Sequence, residues 1–233
     1  MKRKIKRAVA TGMSLAMGTV IMTSDVMVSP VMASQINGEK PYAVELYAAS
    51  NASYNGLYYS TSGSYATITG YDGQSTDIVI PDKIGSYTVN AIQYGAFKDN
   101  NKITSVKIPS TVTQIGNSYG SGAFENCANL KSVSIAAGAE TAYIGNATFK
   151  DCTSLEEITV PGNYTTIYSD AFRGCRSLKK FVYNDNGISR KIQNRAFYEC
   201  TSLVSLSLPT SLNSIGDEAF SGCSSLTAVD IPE

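Results

Sequence analysis

The sequence predicts an α/β solenoid: a stack of short coils sharing a parallel β-sheet, with short helical turns and loops between strands and an N-terminal β-hairpin cap. Three observations lead there. A skeleton I-x-x-x-A-F-x-x-C-x-x-L-x-x-V-x-I-P, read most fully over residues 215–232, starts again at Ile92, Ile115, Ile144, Ile167 and Ile192. Its phenylalanines, Phe97, Phe124, Phe149, Phe172, Phe197 and Phe220, are spaced 27, 25, 23, 25 and 23 residues apart. A period in that range marks coils that bury one another's apolar edges instead of closing one core. Within each repeat the V-x-I pair has the period of two that sets both side chains on one face of a strand.

Residues 1–33 stand apart from this pattern. Lys2, Arg3, Lys4, Lys6 and Arg7 form a basic head, residues 8–22 are mostly apolar, and Val31-Met32-Ala33 supplies small residues at the −3 and −1 positions. This is the pattern of a secretory signal peptide cleaved after Ala33. A membrane anchor fits less well. The apolar run is shorter than the roughly 20 residues a bilayer demands and is broken by Thr11, Gly12, Ser14 and Gly18.

Residues 34–76 form the cap region. The apolar segment 42–49 suits a short helix or a strand equally. Leu57-Tyr58-Tyr59 and residues 65–69 flank Thr61-Ser62-Gly63, a β-hairpin pattern with a glycine in the turn. A solenoid must cover its first coil with something other than a coil, and this hairpin is placed to do so. Residues 77–233 are the repeats. Asp77-Ile78-Val79-Ile80-Pro81 is the strand of an incomplete one, matching Val106-Lys107-Ile108-Pro109. Leu130, Val133 and Ile135 then correspond to Leu155, Ile158 and Val160, and these to Leu178, Phe181 and Tyr183. Pro109, Pro161, Pro209 and Pro232 each follow a strand and end it, because proline has no donor for the ladder. Ala-Phe-x-x-Cys is expected to make one helical turn with the phenylalanine inward. Insertions such as Ser118-Tyr119-Gly120 fall between strand and turn, where a loop bulges at little cost.

These residues resemble the BspA-like leucine-rich repeats of bacterial surface antigens. The skeleton matches almost position for position over residues 77–232, and Ala66-Thr67-Ile68-Thr69-Gly70-Tyr71 is similar to the family's lead-in. Departures are local: Asn100 replaces the first cysteine, Thr148 an alanine, and Ala136 and Asn184 prolines. The resemblance implies an exported or surface-attached protein, secreted or held at the cell surface, acting in adhesion or recognition.

Composition narrows the chemistry. The leader holds five of the 19 basic residues and one of the 19 acidic ones, leaving 14 against 18 and a net charge of −4. That argues against nucleic acid as a partner, since a nucleic-acid binder needs a basic footprint. No stretch of the mature chain is apolar enough to span a membrane. The chain has no histidine, which removes Ser-His-Asp, Cys-His and histidine-bearing zinc sites at once. Cys127, Cys152, Cys175, Cys200 and Cys223 each lie three residues after the repeat phenylalanine and so occupy one column. Side chains in one column sit about a coil apart, wider than the roughly 3.8 Å Cβ separation of a disulfide. They do not converge tetrahedrally on a metal either. Free buried thiols are expected. Glu156 and Glu157 are adjacent near a strand and tend to opposite faces, so they do not flank one bond as an acid–base pair would. Asn184-Asp185-Asn186-Gly187 has a faint likeness to a calcium loop but lacks its alternate ligands and downstream glutamate, and reads as an ordinary turn. No catalytic residue, cofactor or metal is expected, and the protein is read as a non-enzyme.

Binding remains. The non-core strand positions line up in two columns. One is Lys107, Ser134, Thr159, Val182, Ser207 and Asp230; its neighbour includes Glu157 and Lys180. The chain has 15 tyrosines and no tryptophan, and Tyr94, Tyr119, Tyr143, Tyr168 and Tyr198 fall at variable positions of the repeat. Exposed tyrosines give amphipathic contact area at low entropy cost; equally, they pack over loops between unequal coils. The expected function is surface binding or adhesion, with a host or microbial surface protein or glycan as partner. The alternative is the binding arm of a longer secreted enzyme whose catalytic domain follows residue 233. If the chain ends at Glu233, the last strand edge invites end-to-end self-association.

Overall fold

Each coil is made of two short strands and one turn, and the two strands go to different sheets. The structure, a computed structural model, describes residues 52–229 of the 233. They belong to the second of the two units into which the chain divides, Tyr47–Glu233. The leader, segment 42–49, Asp230 and Ile231-Pro232-Glu233 lie outside the described residues.

The cap comes first. Strands β1 (Ala52–Tyr54), β2 (Leu57–Ser62) and β3 (Tyr65–Tyr71) pair antiparallel, Ala52 opposite Tyr59 and Ser62 opposite Tyr65, with Gly63 at φ +58° in the expected hairpin turn. After β4 (Asp77–Val79) and β5 (Lys83–Ile84), strand β6 (Tyr87–Ile92) runs parallel to β3, with Ile68 opposite Ile92. The hairpin therefore supplies the ladder edge on which the first coil is laid.

From there the chain alternates between sheets. β7 (Ser105–Ile108), β9 (Ser132–Ile135), β11 (Glu157–Val160), β13 (Lys180–Tyr183) and β15 (Ser205–Ser207) join β4 in a six-stranded sheet whose pairs are all parallel. These are the V-x-I strands. β8 (Gln114–Ile115), β10 (Ala142–Ile144), β12 (Tyr164–Ile167), β14 (Arg190–Ile192) and β16 (Leu212–Ile215) extend β6 into a second, ten-stranded sheet that includes the cap. The single sheet expected from the sequence is thus one of two. The second sheet's coil strands after β6 are two to four residues long, and register shifts at Ala142/Tyr143 and Arg190/Lys191 set the inward ends of β12 and β16 three residues apart, so no common period of two runs through the repeats. Each ends at the isoleucine that opens the next skeleton.

Between the sheets lies one continuous core. The phenylalanines point into it and stack coil on coil. Ring centroids from Phe97 through Phe124, Phe149, Phe172 and Phe197 to Phe220 are 4.7, 5.4, 5.4, 5.2 and 5.2 Å apart, with planes within 17° of parallel. Tyr71 of the cap meets Phe97 at 5.8 Å and closes the stack. Adjacent strands in a sheet lie about 4.8 Å apart, so rings of one length at one register position meet as offset stacks.

The helical turns expected at Ala-Phe-x-x-Cys are not formed; the described residues contain no helix. The reason is where the backbone donors go. Ala96, Lys98 and Asn100 donate to carbonyls three residues back, while Gly95, Phe97 and Asp99 between them donate across to Gly122, Ala123 and Glu125 of the next coil. A helix would aim every amide along one axis. Alternating them requires left-handed residues, and Asp99, Asn126, Asp151, Gly174, Glu199 and Gly222, two positions after each phenylalanine, have φ between 58° and 79°. A non-glycine residue there costs roughly 1–2 kcal/mol, and the cross-coil hydrogen bonds offset it. At Gly122 the coils come so close that a Cβ would lie 1.6 Å from the Ala147 carbonyl oxygen.

Phe172 is fully buried and meets Phe149, Phe181 and Phe197. Phe172→Ala is expected to cost about 3–5 kcal/mol, the range for a buried phenylalanine, with loss of protection centred on that coil and its neighbours. Urea denaturation with site-resolved hydrogen exchange checks this; an unchanged melt contradicts the assigned register.

Candidate functional site

The two sheets and the turn ladder present three outward surfaces, and the residues singled out in the sequence are divided among them. On the six-stranded sheet Val79, Lys107 and Ser134 pair in register, as do Thr159, Val182 and Ser207. The neighbouring column is Asp77, Ser105, Ser132, Glu157, Lys180 and Ser205. Within the described residues the columns keep this register as far as Ser205 and Ser207, and Asp230 lies outside them. Lys107, Ser134, Thr159, Ser207, Glu157 and Lys180 are exposed, and Val182 is half-buried. The inward partners Val106, Val133, Ile158 and Phe181 are buried, so the period of two holds the exposed set in place. Where the chain enters these strands, Lys131, Glu156 and Lys179 alternate in charge, and the Lys179 ammonium lies 3.3 Å from a Glu156 oxygen. With Ser132, Glu157 and Lys180 they line a shallow depression of about 280 Å³. Glu156 and Glu157 are both exposed here.

Tyr143 and Tyr168 belong to the other sheet. Tyr143 lies in β10, Tyr168 just after β12, and their rings meet edge to face at 5.4 Å. The Tyr143 hydroxyl donates to Gln114 Oε1 at 3.0 Å. Burial raises its pKa, and Tyr168 and Tyr119 raise it further. Tyr198 lies on neither sheet but in the turn ladder, under the Arg173 guanidinium at 5.4 Å. The predicted residues therefore do not form one site.

The turn ladder is structural. Glu125 is buried between Lys98 at 3.1 Å and Lys150 at 3.0 Å, its own carboxylate also accepting from the Gly122 amide, and so ties three coils together. Burial pushes its pKa up, but the two lysines and the amide outweigh that and hold it below the ordinary value. Asp185 caps the next coil, accepting from Thr210 and Ser211 and from the Gly187 amide. The space a cation would need is taken by Arg190, fully buried and bonded to Asp185, Ile188, Asn186, Ser211 and Gly162. Asn184-Asp185-Asn186-Gly187 is a turn, as its sequence indicates. Arg190 itself escaped sequence reasoning. Its signal is a cation in a strand column otherwise held by Ala142, Tyr164 and Leu212.

All five cysteines are buried and unpaired. Cys127, Cys152, Cys175, Cys200 and Cys223 each donate from Sγ to the phenylalanine carbonyl one coil back, at 3.0–3.1 Å. Asn100, first in the column, instead accepts from the Lys102 amide. Burial pushes the Cys127 thiol up to about 12 and holds Cys152 and Cys175 well above the ordinary range. Thr148 replaces alanine with its hydroxyl satisfied by the Ile115 and Gly145 carbonyls. Among the described residues no group of three or more cysteine, aspartate or glutamate side chains is placed to hold a metal, and no helix is long and apolar enough to cross a membrane.

The family model for the BspA type leucine rich repeat region matches residues 71–190 and 187–233, in six copies. Among solved structures, the T. pallidum leucine-rich repeat protein is similar at 26% identity and TM-score 0.55, covering 73% of this chain and 88% of that one. A leucine-rich cell surface protein of Faecalibacterium prausnitzii is similar at 29% identity and TM-score 0.51. That alignment covers 75% of this chain but spans about half of the other, 52%. A leucine-rich repeat protein of Bacteroides capillosus is similar at 28% identity and TM-score 0.50, covering 57% and 97% of the two chains. No curated protein matches.

The thiol column carries its own check. Burial shields all five thiols, and a raised pKa further suppresses the thiolate at Cys127, Cys152, Cys175 and Cys200, whereas Cys223, which Cys200 lowers, relies on burial alone. A thiol reagent at neutral pH is therefore expected to label none of the five cysteines in the folded protein and all five in denaturant. Two disulfide-linked pairs by mass spectrometry would contradict this reading.

Proposed function

Because the chain belongs to the BspA-type leucine-rich-repeat family, we propose that it is an exported, non-catalytic recognition protein that binds surface proteins through its six-stranded sheet. The observation that carries this reading is the pair of in-register exposed columns on β7, β9, β11, β13 and β15. They are rigid, because every strand is held on both edges or by the core below. They are small and mixed in charge, with Ser134, Thr159 and Ser207 beside Lys107, Glu157 and Lys180, which suits a broad polar contact with a folded partner. Export is supported by the basic head, apolar run and small-residue site of residues 1–33. Placement at the cell surface is supported by the Faecalibacterium relative, itself a cell surface protein. The absence of histidine from the whole chain favours binding over hydrolysis.

The test is retention of the labelled full chain on fixed epithelial cells and on whole bacteria. Retention by one of them is expected, lost when the cells are first treated with protease. The double variant Ser134→Arg, Thr159→Arg should lower it at least tenfold. Equal retention by that variant, or release of product from peptide and glycan substrates, would contradict the proposal.

A further inference from the structure

We propose that the ten-stranded sheet carries a second binding site, a ridge of Tyr94, Tyr119, Tyr143 and Tyr168 that takes a neutral glycan chain. The four side chains come from four successive coils. They precede Phe97, Phe124, Phe149 and Phe172 by three, five, six and four residues, so no repeat position encodes them. The fold nonetheless brings them together. Tyr143 and Tyr168 are in ring contact, and Asn146, three residues after Tyr143, donates to the carbonyl of Gly120, next to Tyr119. Tyr94 reaches Gly120, the residue after Tyr119, approaching 3.9 Å from where its Cβ would be. Tyr143 lies in β10 and the others just beyond β6, β8 and β12, away from the exposed columns of the six-stranded sheet, so failure of this site would leave binding through those columns untouched.

The occupant follows from the chemistry of the row. Tyr119 is 72% exposed and Tyr94 47%, among the most exposed large apolar side chains described, although neither helps to hold the core. Their hydrogen-bonding neighbours are amides. Gln114 Oε1 accepts from the Tyr143 hydroxyl, Asn117 Oδ1 accepts from the Tyr119 amide at 3.2 Å, and Asn146 Nδ2 donates to the Gly120 carbonyl at 3.1 Å. Among the described residues none of these side chains hydrogen-bonds a charged group. A protein interface core is enriched in arginine and methionine beside its aromatics, and neither is among the hydrogen-bonding partners of this row. Aromatic faces are electron-rich and accept the C–H face of a sugar ring, while side-chain amides and phenols match sugar hydroxyls in both donor and acceptor sense. Coils rise by about 4.8 Å, comparable to the advance per sugar in an extended polysaccharide. A chain without charge is what an uncharged row of this kind complements.

Affinity electrophoresis of the full chain tests this, through gels containing galactomannan, xylan or mixed-linkage β-glucan, with polygalacturonate as the anionic control. At least one neutral polysaccharide is expected to retard the protein more than polygalacturonate does. Tyr119→Ala and Tyr143→Ala should each weaken that retardation at least fivefold, while Tyr119→Trp retains it and Thr159→Arg on the other sheet leaves it unchanged. Tyr119 packs little against the core, so its alanine variant stays folded and keeps the test decisive. No retardation by any neutral polysaccharide, retardation indifferent to both alanine variants, or capture of a surface protein through Tyr119 in place of a polysaccharide overturns the proposal.

Discussion

The structure depends on how one coil is fastened to the next at the phenylalanine turn. Two interactions act there together. The rings stack at 4.7–5.4 Å, and the backbone between them sends every second amide across to the neighbouring coil. Offset aromatic pairs contribute about 0.5–1.5 kcal/mol each beyond the area they bury. A solenoid lacks a closed core, so its stability is the sum of such neighbour terms. The cysteine thiol adds a third, donating to the carbonyl of the phenylalanine one coil back. Phenylalanine and cysteine therefore recur together because each is half of one inter-coil joint.

That joint explains which parts of the fold were legible in the sequence. Phe, Cys, Leu and V-x-I are fixed-register side chains, and a recurring side chain at a fixed period is visible in one chain. Hence the solenoid, the first sheet, the cap hairpin and the free thiols could all be read. The turn was not. Ala-Phe-x-x-Cys has the composition of a helical turn, but its peptide directions are set by Ala123, Glu125 and the equivalent carbonyls of the following coil. Nothing local to residues 95–100 says that those carbonyls will be there. The second sheet escaped for a related reason. Strands such as β8, Gln114–Ile115, exist because neighbouring coils supply their partners, not because two residues favour extension.

The candidate sites divide in the same way. Lys107, Ser134, Thr159 and Ser207 could be aligned from sequence because they share the register of V-x-I. The tyrosines could be noticed but not assembled, since Tyr94, Tyr119, Tyr143 and Tyr168 stand at different offsets from their phenylalanines and meet only once loops of unequal length are closed. Tyr198, grouped with them by composition, lies instead beneath Arg173 on the turn ladder. Irregular insertion lengths give a repeat protein surface individuality, and the regular joint beneath keeps that variation from reaching the core.

The crossing amides and the ring stack form one cooperative joint. Native-state hydrogen exchange by NMR tests it most directly. The amides of Phe124, Asn126, Phe149, Asp151, Phe172 and Gly174, each donated to the next coil, should fall in the slowest-exchanging class and open together with their neighbours. Exchange of these amides at the rate of exposed turns, faster than the strand amides of either sheet, would contradict the account.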